Sequence, residues 1–352
     1  MGQENGDYPV CCILPPHVLR RMSEKGSADI RNAAFDTLRI SERLRGLRQA
    51  VADSQLAAPT GGLRRTIYDA KNKERLPGAL VRSEGAGRSG DAATDEAYDG
   101  LGSTYTFYDE VCRRKSIDGN GLRLDATVHY GKKYMNAFWD GRQMVFGDGD
   151  GEIFGAFTKC LDVIGHELTH GVVQYEAGLV YWDEPGALNE SMADVFGTLV
   201  KQLGLKQRVD QADWMIGRGL LVKFPDQALR SMKAPGTAYD NELMGKDPQP
   251  SHYKDYDPDK YPEDNGGVHV FSGIPNHAFY RAAMSFGGNA WEKAGRIWYH
   301  ALTELLGRRS TFADAALATI TAAGRLFDAS AEKVVREAWE VVGVKSAQLK
   351  VA

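Results

Sequence analysis

The sequence predicts an α+β protein of two lobes, a mixed α/β N-terminal lobe and an α-helical C-terminal lobe, preceded by a small helical segment. Three observations carry this. Apolar residues recur at helical spacing in 16–53 and 94–116, and again through most of the chain beyond about 191. Between these, "LRRTIYDA", "GALVRSEG", "LRLDATVHYG" and "MVFGDGDG" read as short strands bounded by turn residues. With 352 residues, 43% of them hydrophobic, the chain can bury a large core shared between two lobes.

Taken in order, residues 1–15 read as irregular. A helix is expected from Pro16 to about Lys25 and a second from Asp29 to about Asp53. In the second, Ile30, Ala33, Ala34, Leu38, Ser41, Leu44 and Leu47 form one stripe. "LAAPTGG" at 56–62 is a linker of small residues, Pro and Gly, and an expected cleavage region. Strands at 63–70 and 78–85 follow. The helix at 94–116 repeats Ala97, Leu101, Tyr105 and Tyr108, and strands are expected at 122–131 and 144–151. "DGDGE" at 148–152 invites a calcium-loop reading, which fails because the loop's sixth position would be Ile153 and its twelfth Lys159. From about 191 the chain is expected to be mostly helical, broken by the acidic, Pro-rich stretch 252–267. The units are therefore 1–57, 58–190 and 191–352.

Within this frame "VIGHELTHGVV" at 163–173 stands out, because ionisable residues interrupt an aliphatic helix. His166 and His170 lie one turn apart, and Leu161, Ile164, Leu168 and Val172 cluster on the other side. Two His at i and i+4, with Glu167 after the first, form H-E-x-x-H: two nitrogen ligands for one zinc and a carboxylate beside it. A buried helix with polar partners elsewhere would read the same way in isolation. Downstream, "GALNESMADVFGTLV" at 186–200 is also helix-like and puts Glu190 and Asp194 on one face. Glu190 supplies a third ligand, and Asp194 could orient a ligating imidazole. Alone, that acidic pair would more often be a solvated face.

These motifs, with "DNGGVHVFSGIPNHAFY" at 264–280, "NAFWDGRQMVFGDGDGE" at 136–152, "LRSM" at 229–232, "IWYHALTELL" and "AWEVVGV", resemble the thermolysin family of zinc metallopeptidases over about residues 60–344. The resemblance implies a two-lobe zincin fold with the zinc helices between the lobes. The segment before it resembles the protealysin-like branch, which carries a short propeptide with a Pro-Pro motif. "LPPH" at 14–17 takes that place, and His17 departs from the pattern. The resemblance implies a neutral endopeptidase that cuts before hydrophobic residues and is made as a proenzyme. His166, His170 and Glu190 would hold zinc, and Glu167 would be the general base acting on the zinc-bound water. Tyr181 and His269 would donate to the oxyanion, with Asp264 orienting His269. Asn136 and Ala137 match edge-strand residues that hold the substrate backbone, and Arg230 matches the residue that binds a substrate carbonyl. Asn189 and Asp194 match the partners of the zinc histidines. Phe154, Phe157, Val163 and Leu229 match the walls of the pocket for the residue after the scissile bond. Phe157 is bulkier than the usual aliphatic residue, which implies a shallower pocket.

One departure concerns calcium. Asp162 matches a carboxylate of the family's double calcium site, but Lys201, Met215 and Arg218 stand where others would be. A cation in place of an anionic ligand repels calcium, so the double site is expected to be absent, with Lys201 paired to Asp162. The four cysteines, at 11, 12, 112 and 160, make neither a disulfide framework nor a C-x-x-C site. A thiolate of Cys11 or Cys12 could ligate the zinc in the precursor; plain packing beside "ILPP" is the simpler expectation.

Partners are expected to be protein and peptide substrates and the chain's own prosegment in cis, on a monomer. A formal net charge of −4 gives no case for nucleic acid, and no apolar run is long enough for a membrane span. The opening residues lack a Sec-type signal, so synthesis is expected in the cytoplasm, compatible with release by another route. Rival classes are an inactive member that binds a partner in its cleft, a structural zinc protein, and an exopeptidase. No fourth ligand in the mature part supports the second, and no amine-binding carboxylate pair supports the third.

Overall fold

In the computed structural model, residues 11–52 and 62–346 are described, the side chains of 45–52 excepted. The linker expected at 56–62 therefore lies almost wholly outside the described residues. The chain opens with β1 (Cys11–Cys12), α1 (Pro16–Lys25) and α2 (Ala28–Ala52). Pro15 is extended, as a residue before proline tends to be, and Pro16 occupies the first turn of α1, where its missing N–H costs nothing. Of the α2 stripe, Ile30, Ala33, Ala34, Ser41 and Leu44 are buried and Leu38 is half-buried. Leu47 lies outside the described side chains. Polar residues of α2 also tie it down: Thr37 Oγ1 accepts from Met135 N at 3.1 Å, and Ser41 bonds the Tyr134 hydroxyl at 3.1 Å.

β2 (Arg65–Asp69), β3 (Ala79–Ser83), β4 (Leu124–Val128), β5 (Ala137–Trp139) and β6 (Met144–Phe146) join β1 in a six-stranded sheet of order β1-β5-β6-β4-β2-β3. The β2–β4 and β4–β6 pairs are parallel and the rest antiparallel. One expectation is corrected here: residues 11–12 are a strand rather than irregular chain, pairing Cys11 with Trp139 and Cys12 with Phe138. Among the strands of 58–190, β5 is a sheet edge, and β1 of the N-terminal segment pairs onto it. α3 (Ala92–Cys112) is capped by Asp91, whose side chain accepts from Thr94 N, and it ends at Arg113 in a left-handed conformation.

α4 (Leu161–Tyr175) and α5 (Asp183–Leu205) pack side by side. Their approach depends on facing glycines. A Cβ on Gly197 would lie 2.4 Å from Asp162 O and 3.2 Å from His166 Cβ, and one on Gly165 would lie 3.1 Å from Gly197 Cα. Any larger residue would push the helices apart and separate what they carry. α5 runs unbroken through residue 190, where the sequence reading divided the lobes.

The second lobe is mostly helical, as expected, and the stretch 206–246 adds strands that the sequence reading did not foresee. It carries two antiparallel ladders, β7 (Met215–Ile216) with β8 (Arg230–Ser231), and β9 (Asp240–Asn241) with β10 (Gly245–Lys246). Beyond the 252–267 loop come α6 (Val268–Phe271), α7 (Gly273–Phe286), α8 (Ala294–Glu304), α9 (Phe312–Leu326) and α10 (Ala329–Val341). Ile13, Leu14, Val18, Leu19 and Met22 share one apolar cluster with residues of the sheet, α4, α5 and the last helices, so the N-terminal segment is built into the main core. Among the described residues no helix is long and apolar enough to cross a membrane.

Candidate metal centre and cleft

α4 presents His166 and His170, and α5 presents Glu190, all at most 1% exposed. Each imidazole is fixed from behind. His166 Nδ1 lies 2.8 Å from Asp194 Oδ1, and His170 Nδ1 lies 2.8 Å from Asn189 Oδ1. The Asn189 amide donates to Leu179 O at 3.1 Å, which turns its oxygen toward His170. With both Nδ1 atoms donating, the two Nε2 lone pairs face each other across 3.0 Å. Glu190 closes the group, Oε2 3.5 Å from His166 Nε2 and Oε1 3.4 Å from His170 Nε2. Its buried Oε2 has no hydrogen-bond partner among the described residues.

Two opposed lone pairs and an unsatisfied carboxylate oxygen are costly unless a cation sits among them. The donors, two imidazole nitrogens and a carboxylate, suit zinc with one position left open. Among the described residues this is the group of His, Cys, Asp and Glu side chains that converges as a metal site, and it contains neither Cys11 nor Cys12. The notion of a cysteine ligand is thereby corrected. Cys11 packs with Tyr181 and Val268, and Cys12 faces the other side of the sheet among Ile40, Leu44, Tyr134 and Phe138.

Asp194 is held by more than its histidine. Arg230 grips it with Nε to Oδ2 at 2.7 Å and Nη2 to Oδ1 at 2.8 Å, and Asn276 Nδ2 donates to Oδ2 at 2.8 Å. Burial works against the charged carboxylate, but Arg230 and then His166 outweigh it and hold the group well below the usual carboxylate range. The sequence reading missed Asn276. A buried amide between Ile274 and Phe279 in an apolar helix was the available signal.

Glu167 is fully buried, and its Oε2 accepts from Trp139 N of β5 at 3.0 Å. Tyr181 donates to Glu190 Oε1 in a short contact and stands 3.3 Å from His269 Nε2. His269 Nδ1 meets Asp264 Oδ1 at 2.5 Å, and its backbone N–H donates to Oδ2 at 3.0 Å. Burial disfavours a charged His269, but Asp264 and then Glu190 overcome this and hold its pKa up at about 9. Both ring nitrogens then donate, Nε2 to Cys12 O at 2.7 Å.

That last bond belongs to a series. Ile13 N donates to Ala137 O at 3.3 Å, and Arg230 Nη1 donates to Ile13 O at 3.0 Å. Asn136 brackets Leu14, accepting from its N–H at 3.0 Å and donating to its carbonyl at 3.3 Å. Residues 12–14 thus lie extended across the centre, held by His269, Ala137, Arg230 and Asn136. Phe154, Phe157, Val163 and Leu229 are buried in the cluster that also takes in Ile13, with the Phe154 and Phe157 rings 6.0 Å apart.

Behind the zinc helices, Lys201 Nζ donates to Asp162 Oδ2 at 2.8 Å, Asp213 Oδ1 at 3.1 Å and Met215 O at 2.7 Å. Burial opposes the ammonium, but Asp162 and Asp213 outweigh it and raise its pKa.

The chain matches two family profiles, thermolysin metallopeptidase catalytic domain over residues 47–174 and thermolysin metallopeptidase alpha-helical domain over 177–344. It is 49% identical over 342 residues to an extracellular metalloprotease of Pectobacterium carotovorum, spanning 97% of this chain and 98% of the relative. It is 48% identical over 355 residues to Protease PrtS of a Photorhabdus strain, spanning 98% and 94%. Among solved structures, the precursor of protealysin, a metalloproteinase from Serratia proteamaculans, superposes with a TM-score of 0.87 at 52% identity, covering 95% of this chain and 99% of that one. With the two profiles together matched over 47–174 and 177–344 and likeness to its relatives over nearly its whole length, the chain belongs to the thermolysin family of metalloendopeptidases.

Proposed function

We propose that the chain is a zinc-dependent neutral endopeptidase that cleaves on the N-terminal side of hydrophobic residues, made as a proenzyme whose prosegment blocks the cleft. The observation that carries this is the extended run 12–14, laid on β5 and hydrogen-bonded by the residues a substrate backbone would use. Zinc held by His166, His170 and Glu190 would lower the pKa of a water and polarise the scissile carbonyl. Glu167 takes the proton from the attacking water and passes it to the leaving amine. His269 and Tyr181 donate to the developing oxyanion, each worth about 2.7–4 kcal/mol in such sites. Tyr181 must first turn from Glu190. Arg230, Asn136 and Ala137 position the substrate backbone, so they are occupied for as long as residues 12–14 stay in place.

Peptides blocked at both ends test the reading. Those with Leu or Val after the scissile bond should be cut, and Phe there should cost about 1–3 kcal/mol in kcat/KM because Phe157 is bulkier than the aliphatic residue usual at that wall. Equal rates for Leu and Phe would count against the shallow pocket, and no cleavage of blocked peptides would count against an endopeptidase.

We also propose that Lys201 serves in place of calcium. Calcium should leave the melting temperature unchanged, whereas Lys201→Met should destabilise by about 3–5 kcal/mol by stranding the buried Asp162 carboxylate. Thermal unfolding with and without calcium checks both. A sharp calcium-dependent rise that Asp162→Ala abolishes would overturn the substitution.

A further inference from the structure

His17 enters none of the chemistry above, yet it sits where the prosegment meets the catalytic body. It is the second residue of α1, which packs against the turn 262–264. Its Nε2 lies 3.1 Å from the Tyr239 hydroxyl, while its Nδ1 is closed off from solvent and has no hydrogen-bond partner among the described residues. A neutral imidazole carries one N–H and tolerates this arrangement. A protonated ring carries two, and among the described residues the one on Nδ1 has no acceptor.

The charges around the ring make matters worse for a cation. Arg230 and His269 bear on it from the catalytic body and disfavour protonation. Asp264 favours it, but that carboxylate already accepts from the ring and the backbone N–H of His269. Glu263 beside it is half-buried, and on the outer side of α1 itself Arg20 and Arg21 add positive charge.

We propose that His17 is an acid-sensitive latch: protonation of its ring undocks the prosegment from the cleft. The inference rests on the blocking role proposed above. Docking holds the His17 pKa at about 4, against an ordinary 6.5, chiefly through desolvation. The sign follows directly. A group whose pKa is depressed in the docked state binds its proton preferentially after release. The contribution of a neutral His17 is therefore complete above 6.5 and is lost as pH falls toward 4.

The test uses full-length, zinc-loaded Glu167→Ala protein, which cannot process itself, and hydrogen exchange of residues 11–25 corrected for intrinsic rates. From about pH 7.5 to about pH 5 the opening constant should rise roughly 15- to 30-fold. In His17→Gln, which keeps a polar contact for Tyr239 but does not titrate, and in His17→Leu, the rise should vanish. Unchanged protection of 161–175 shows that each variant is folded. An equal rise in the His17 variants would overturn the latch. If residues 11–25 are unprotected even at the higher pH, the blocking role fails, and the latch with it.

Discussion

Full-length Glu167→Ala protein will keep its mass under conditions where the unaltered chain loses a segment ending near residues 50–60. The side chain is wholly buried and its Oε2 is fixed by Trp139 N, so it is oriented before any substrate arrives. Alanine removes the proton carrier while leaving His166, His170 and Glu190 in place. A positioned general base contributes about 10²–10⁴-fold, which bounds the loss in turnover on an added peptide. Intact mass over time and peptide cleavage together check this. If the variant still sheds its segment, another protease performs the cut. If it keeps near-normal turnover, Glu167 is not the base.

Arg230→Met is expected to be more damaging than its distance from the attacked carbonyl suggests. The guanidinium makes two bonds to Asp194 and one to Ile13 O, and all three lie out of water. Removing it strands a buried carboxylate, a change that typically costs about 3–5 kcal/mol. Asp194 would then regain an ordinary tendency to protonate and loosen its hold on His166. Disturbing such a partner lowers metal affinity by about 10–100-fold. Denaturant unfolding and zinc competition by a chelator measure the two effects. Adding Asp194→Leu to Arg230→Met should recover stability but not zinc affinity. Failure of the single variant to lose stability would mean the pair is balanced by groups other than Arg230.

The parts legible in the sequence were those with local periods. His166 and His170 are one turn apart, as are Glu190 and Asp194, and α1 and α2 fall within a residue or two of their expected bounds. What escaped were features with no period of their own. β1 is two residues long, too short to alternate, and its partner lies more than a hundred positions away. The ladders between 215 and 246 are equally short. Thr37 had no place in the α2 stripe, yet it is buried and accepts from Met135 N. Pairing Lys201 with Asp162 followed from the resemblance, which puts both at the calcium site, together with their opposite charge, but Asp213 and Met215 O joined them only through the fold.

The way residues 12–14 are held has a consequence for activation. None of their bonds to His269, Ala137, Arg230 and Asn136 involves the chain between α2 and β2. On the proposed reading, cutting that connection leaves these bonds in place and turns an intramolecular inhibitor into a diffusible one. A short tether typically supplies an effective concentration in the millimolar range, about 10⁻³ M, and that is the quantity the cut removes. Activation would then depend on volume as well as on hydrolysis: in a confined space the severed segment rebinds, and dilution sets the enzyme free.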